Sequence, residues 1–396
     1  MKKLLTAVLI GTCAFGTAAE MIAELLPGAN ASAVGRPYGL QLIDVTDNGP
    51  FALYAVPPGV DPEVLEQQFQ LHPSVVWAEE NDEMEMPEHS GGGKATVIGA
   101  VGDPGAFYTL NAGFLTQVSW IPPASARAIR EVNVAILDTG LSPLQPFLWK
   151  RVTASANFVE VGAPAHDLPR NHNTNGNAFP DEAIGHGTMV LGVVAQMAPH
   201  AGLIPVRVAD SDGVTSSWRL IEGFVFSVNA GADVINVSLG SMESITALSD
   251  MLDWVETRNV LIVAAAGNNA LETDFYPASY SEVISVVALD EHDRKAVFSN
   301  WEGSVDMCAP GTGIKSFYWN GTMAVWSGTS FASPIVAAGA AIALEYVKNP
   351  YAVDVLRDLI ASTGTNVDPL NPQFADGIGR KLHILRLVQA VRAGAL

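Results

Sequence analysis

The 396-residue sequence predicts an α/β protein, a mostly parallel sheet with helices on both faces, preceded by a small α+β domain. Three observations predict it. From about residue 105, short and continuously apolar runs recur, as in strands buried on both faces. Helical stretches separate several of these runs, which implies crossover connections and a parallel sheet. Ahead of them lies a shorter segment with its own strands, turn and helix. The composition, 48% apolar and 16% charged, is that of a folded chain rather than a disordered one.

The N-terminus reads as an export signal over residues 1–19. Lys2-Lys3 form a positive start, Leu4–Phe15 a short apolar stretch, and Thr17-Ala18-Ala19 a small-residue exit. The apolar stretch is too short to span a bilayer permanently. An exported chain would retain Cys308 as its one cysteine and form no internal disulfide. Ile10-Gly11-Thr12-Cys13 loosely matches a bacterial lipoprotein box, but Thr12 is a poor residue before such a cysteine. The sequence therefore predicts a secreted or cell-envelope protein without a lipid anchor at Cys13.

Residues 20–100 are read as one domain with its linker. Within it, residues 37–86 form the α+β unit. Tyr38–Val45 and Phe51–Val56 are its first strands, joined at Asn48-Gly49-Pro50. Asp61-Pro62-Glu63 begins a helix, with an acid to cap it and Pro at its first position, and Val64, Leu65 and Phe69 as the buried face. Val75–Ala78 starts a last strand, which runs into the acidic stretch Glu79–Glu85. Gly91-Gly92-Gly93 marks a joint.

Residues 101–396 are read as the larger domain. Its strands are expected at Val132–Leu137, Leu203–Val208, Val234–Leu239, Val260–Ala266 and Val283–Leu289. Helices are expected at Met189–Met197, Trp218–Asn229 and Ile245–Arg258, and Phe331–Val347 reads as a buried helix rich in Ala and Gly.

Charge excludes one class of function. The formal net charge is −20, and residues 20–100 carry 13 Asp/Glu against Arg36 and Lys94. Nucleic-acid binding needs clustered Lys and Arg to neutralise phosphates, so it is not expected.

Four polar motifs stand where apolar strands end or a buried helix begins, and sites in open parallel sheets gather at strand carboxyl ends. Asp138-Thr139-Gly140 follows the run Val134–Leu137. By itself it is a turn acid, or half of an aspartic-protease pair whose second Asp-Thr-Gly or Asp-Ser-Gly this chain lacks. Gly185-His186-Gly187-Thr188 leaves an imidazole between two glycines. Gly267-Asn268-Asn269 puts a carboxamide beyond a buried strand, where it can donate to a developing oxyanion. Ser330, in Ser327-Gly328-Thr329-Ser330, stands at the start of the Ala-rich helix, whose N-terminus favours negative charge. Taken singly, each has an ordinary reading: a loop acid, a core histidine, a strand-end Asn, a helix-capping Ser.

Together, in the order Asp, His, Asn, Ser with gaps of 48, 82 and 62 residues, they resemble the subtilisin-like serine proteases. Val237-Ser238-Leu239-Gly240, Tyr276-Pro277-Ala278-Ser279 and Ala309-Pro310-Gly311 extend the resemblance over roughly residues 118–390. Residues 37–86 resemble that family's inhibitory propeptide, with Trp77–Asp82 matching its end.

The resemblance implies a subtilisin-like fold and a secreted serine endopeptidase, made as a zymogen. Ser330 would be the nucleophile, His186 the general base and acid, Asp138 its orienting partner and Asn268 the oxyanion donor. Substrate would bind along Ser238, Leu239 and Gly240, opposite Ala265, Ala266 and Gly267 and near Ala278. These small neutral walls predict a pocket for large apolar or aromatic residues, with Glu272 and Asp274 left in solvent.

The expected partners are polypeptide substrates and the chain's own propeptide, on a monomeric enzyme. No metal ligands are assigned; His166 and His172 read as members of a solvated loop. Calcium is conceivable, but Ala195-Gln196-Met197-Ala198-Pro199 stands where the family's tight calcium loop would be. Met189 and Ile335 replace histidines usual in the family, and neither position is in the triad. The alternative, from another class, is an exported pseudoprotease or binding domain without turnover, which the intact triad and Asn268 argue against.

Overall fold

In a computed structural model, the described residues are 19–47, 49–87, 94–100, 105–120, 129–171, 173–302, 304–347 and 351–395. Residues 1–18 of the export signal, with Cys13, the turn residue Asn48, the glycine joint at Gly91–Gly93 and His172 lie outside them. The chain divides into two units between Asn81 and Asp82.

The first unit is a four-stranded antiparallel sheet in the order β2-β3-β1-β4. Its elements are β1 (Glu20–Leu25), α1 (Ala31–Gly35), β2 (Gln41–Val45), β3 (Phe51–Ala55), α2 (Pro62–Phe69) and β4 (Val75–Glu80). Central β1, with Met21, Ile22 and Ala23 buried, was not expected, because it follows directly on the apolar leader and has no turn signal before it. The first predicted strand starts at Gln41 rather than Tyr38. Pro37 favours a tight 3₁₀ turn over Arg36–Tyr38, and Gly39 ends it at φ 75°. Asp61 caps α2 as predicted, its carboxylate accepting from the N–H of Glu63 at 3.1 Å. Leu65 and Phe69 are buried, but Val64 is 49% exposed. The i, i+4 pair sets the stripe, and Val64 falls beside it. Phe69 packs edge-on against Tyr38 and Tyr54.

The second unit begins with β5 (Glu83–Glu85), β6 (Thr96–Ala100), α3 (Ala106–Leu110) and α4 (Ala112–Gln117). Alternation then sets in: β7 (Asn133–Asp138), α5 (Pro146–Trp149), β8 (Ala156–Asn157), α6 (His186–Met197), β9 (Gly202–Arg207), β10 (Val214–Ser216), α7 (Ser217–Asn229), β11 (Val234–Val237), α8 (Thr246–Glu256) and β12 (Leu261–Ala265). Then come β13 (Val283–Leu289), β14 (Met307–Pro310), β15 (Ile314–Phe317), β16 (Thr322–Trp326), α9 (Thr329–Leu344), α10 (Val353–Thr363), β17 (Arg380–Lys381) and α11 (Ile384–Ala390). Eight of these strands form one sheet in the order β17-β14-β13-β12-β11-β7-β9-β8, and every pair in it is parallel.

The apolar runs became strands because helices cover both of their faces. Val134 and Ile136 of β7 belong to the main core with α6 and α9. Leu137, one residue on and so on the other face, lies against Gly223 of α7, where a Cβ would come 3.1 Å from its Cδ2. Strand β5 pairs antiparallel with β10, Glu85 opposite Val214 and Glu83 opposite Ser216.

Candidate active site

Asp138 is the last residue of β7, and its carboxylate is fully buried. The N–H of Thr139 donates to Asp138 Oδ1 at 2.8 Å. His186 opens α6, and its Nδ1 lies 2.8 Å from Asp138 Oδ1 and 3.0 Å from Oδ2. This close approach needs glycines. A Cβ on Gly187 would fall 2.5 Å from Gly140 O and 3.0 Å from Asp138 Oδ1, and Gly185 takes φ 85°. The imidazole ring also packs on Trp326 and Phe331, with centroids at 5.4 and 5.3 Å.

Ser330 is the second residue of α9, adjacent to Phe331. Its Oγ donates to Ser238 O at 3.2 Å, while Ser238 Oγ donates to Ser330 O at 3.1 Å. Behind them, Asn236 Nδ2 donates to Ser238 Oγ and Ser333 Oγ donates to Asn236 Oδ1 at 2.6 Å. This buried chain pins the start of α9 to the end of β11. Asn268 follows β12, and its Oδ1 accepts from both the N–H and the hydroxyl of Thr329, each at 2.9 Å. The carboxamide is thereby turned so that Nδ2 is its donor end, beside the first turn of α9. Burial of a polar group is costly unless it is bonded, so these networks fix one arrangement.

The structure therefore brings Asp138 and His186 into contact and ties Asn268 and Ser330 to one helix start. A carboxylate on Nδ1 holds an imidazole in the tautomer whose Nε2 can take a proton. A hydroxyl at a helix N-terminus, with a carboxamide donor beside it, suits attack on a carbonyl carbon.

Residues 130–379, well over half of the chain, match the model of the subtilase family. The chain belongs to the subtilase family. It is 35% identical over 237 residues to the thermophilic serine proteinase of Bacillus sp. (strain AK1), covering 59% of this chain and 58% of that protein. It is 34% identical over 249 residues to subtilisin DY of Bacillus licheniformis, covering 60% of this chain and 84% of that protein. Among solved structures, fervidolysin from Fervidobacterium pennivorans, a keratinolytic enzyme related to subtilisin, superposes with a TM-score of 0.74. That match, at 19% identity, covers 96% of this chain and 62% of the other and speaks for the fold. The subtilases are serine-type endopeptidases, and the eight-stranded parallel sheet seen here is their architecture.

Within this subtilase, the expected substrate walls are adjacent but not open. Ser238, Leu239 and Gly240 continue from β11, Ala265 ends β12 with Ala266 and Gly267 following, and all six are buried. Ser241 and Tyr276 exchange backbone hydrogen bonds at 2.8 and 2.7 Å, which brings the turn containing Ala278 beside Gly240. Between the walls stands Phe275, a residue not singled out in the sequence, only 5% exposed. Its ring lies against Gly240 and Gly267 at once. An aromatic side chain thus stands in the space between these small neutral walls. Glu272 is exposed, as expected, and Asp274 sits with Glu302, whose carboxyl it raises by hydrogen bonding.

Asp167 was also missed. It is fully buried and accepts from Gly185 N at 3.0 Å, Thr188 N at 3.2 Å and Thr188 Oγ1 at 2.6 Å. It therefore braces the turn that carries His186 from both sides. Nothing local marks it, since His166-Asp167-Leu168-Pro169 reads as loop. Asn236 could have been found: it is the one polar residue in the run Val234–Val237. His166 packs edge-on against Trp149 rather than standing free in solvent.

Proposed function

We propose that this chain is an exported serine endopeptidase in which Ser330, His186 and Asp138 form the catalytic triad. The observation that carries this reading is the buried contact of His186 Nδ1 with both Asp138 oxygens. In this role Ser330 Oγ attacks the peptide carbonyl carbon as its proton passes to His186 Nε2. The tetrahedral oxyanion is held by Asn268 Nδ2 and the Ser330 N–H. His186 then protonates the leaving amine, the C–N bond breaks, and an acyl ester on Ser330 remains. Water, deprotonated by His186, hydrolyses that ester and returns Ser330 to its starting state.

The prosegment reading is supported by β5. Glu83–Glu85 lies antiparallel to Val214–Ser216, Met86 N donates to Gly213 O at 3.1 Å, and Gly240 N donates to Glu85 O at 3.4 Å. An extended peptide added to a sheet edge in this manner is how a protease holds substrate. The stretch would therefore occupy the cleft and keep the precursor silent. The N-terminal residues 1–19 would direct the chain out of the cell, and no described helix is long and apolar enough to cross a membrane.

Ser330→Ala tests the assignment. Purified and folded, the variant should lose at least 10³-fold in peptide hydrolysis, the scale expected on removing a triad member, together with labelling by a fluorophosphonate. Activity close to wild type would refute it.

A further inference from the structure

The position of Phe275 has a consequence for which peptides are cut. The two walls that should enclose the side chain preceding the scissile bond contribute glycines at Gly240 and Gly267. A Cβ placed on Gly240 would come 2.8 Å from Phe275 Cε1. One placed on Gly267 would come 2.9 Å from Cγ and 3.0 Å from Cδ2. Cε1 and Cδ2 are diagonally opposite corners of the phenyl ring. The ring therefore spans the gap, one corner on each wall, while Tyr276 O, 2.1 Å from a Cβ on Gly240, and Asn300 Nδ2, 2.4 Å from one on Gly267, hold both positions to glycine as well.

The backbone that carries the ring is also fixed. Phe275 N donates to Ser279 Oγ at 3.0 Å, and Ser279 N donates to Phe275 O at 3.0 Å. The next residue, Tyr276, is held by its two backbone bonds to Ser241. Swinging the ring out would expose an aromatic side chain that is now only 5% exposed, which costs apolar burial.

We propose that Phe275 is a specificity-determining residue that plugs the primary pocket, so that this peptidase cuts after small residues such as Ala, Gly or Ser rather than after Phe, Tyr or Leu. The inference rests on the peptidase reading above and reverses the large-residue preference that the wall sequences alone suggest. An apolar pocket gains affinity with buried area, but only area that is vacant counts, and one excess methylene in a closed pocket already costs about tenfold or more. Glu272 is exposed, and Asp274 engages Glu302.

The test is a set of tetrapeptide substrates that differ only at the residue before the scissile bond, assayed with the processed full-length product and with Phe275→Gly and Phe275→Ala. Active sites are counted with a fluorophosphonate, so that kcat/KM refers to folded enzyme. Wild type should favour Ala over Phe by at least tenfold. In the glycine variant that ratio should fall by at least tenfold, with the alanine variant between. Wild-type cleavage after Phe or Leu as efficient as after Ala would overturn the proposal whether or not the variants fold. An unchanged ratio in a labelled variant would overturn it too. A wild type that neither labels nor cuts any peptide would defeat the peptidase reading itself, and this inference with it.

Discussion

Asp167 shows how one side chain can set conditions for its neighbours. Three donors from the turn around His186 end on its carboxylate, yet burial pushes its carboxyl up to about 6, with nearby Asp138 adding to the rise. An unfolded Asp titrates near 3.9. The native state thus binds this proton more tightly than the unfolded chain. The group's contribution to stability grows as pH falls from above 6 towards 4, and is least at higher pH. Asp167→Asn cannot titrate. In a Ser330→Ala background, which removes self-digestion, the melting temperature of the Asp167 protein relative to Asp167→Asn should rise between pH 7.5 and pH 5. A difference that stays constant with pH would contradict the buried, raised carboxyl. At this scale the sequence singled out residues that stand in local motifs, Asp138, His186, Asn268 and Ser330. It did not show residues that act from a distant loop, such as Asp167, or by occupying space, such as Phe275. Spacing along a chain does not report either.

Helix α6 carries His186 at one end and ends in Met197 at the other, with Ala198 and Ala201 turning into β9. The carbonyls left over at its C-terminus are taken by a guanidinium. Arg151 donates to Ala195 O and Ala201 O, and through Nη2 to Ala198 O at 2.6 Å. A cation at a helix C-terminus is favourable, and here a side chain supplies it. We therefore expect calcium to matter little: chelation should leave the melting temperature within a degree or two, whereas Arg151→Met, which leaves buried carbonyls unpaired, should cost about 2–4 kcal/mol. A large drop on chelation, with little effect of the substitution, would contradict this. The strands of the large sheet were legible because both their faces are covered, so each reads as an unbroken apolar run. Helix α6 begins three residues before the predicted Met189, because Gly185 and Gly187 are helix-poor by propensity and are placed there by close approach to Gly140 and Asp138. Strand β1 was hidden for a related reason, since its apolar residues continue the leader's.

Across the whole molecule, two units could be read from the change in pattern near residue 100, and the chain divides earlier, after Asn81. The difference lies in Asp82–Met86. Its acidic composition looks like surface, but its backbone is the outer strand of a pair with β10, with Met84 and Met86 buried. Pairing of this kind depends on a partner more than 100 residues away, which no local pattern encodes. If Ser330 is the nucleophile and this strand lies where substrate lies, the precursor must cut itself once, between about Glu83 and Gly105. Expressing the wild type and Ser330→Ala in parallel and sequencing their N-termini measures both halves of that statement together. Wild type should begin within that window, while the variant, after loss of its leader, should retain the whole prosegment. Identical N-termini in the two proteins would contradict it.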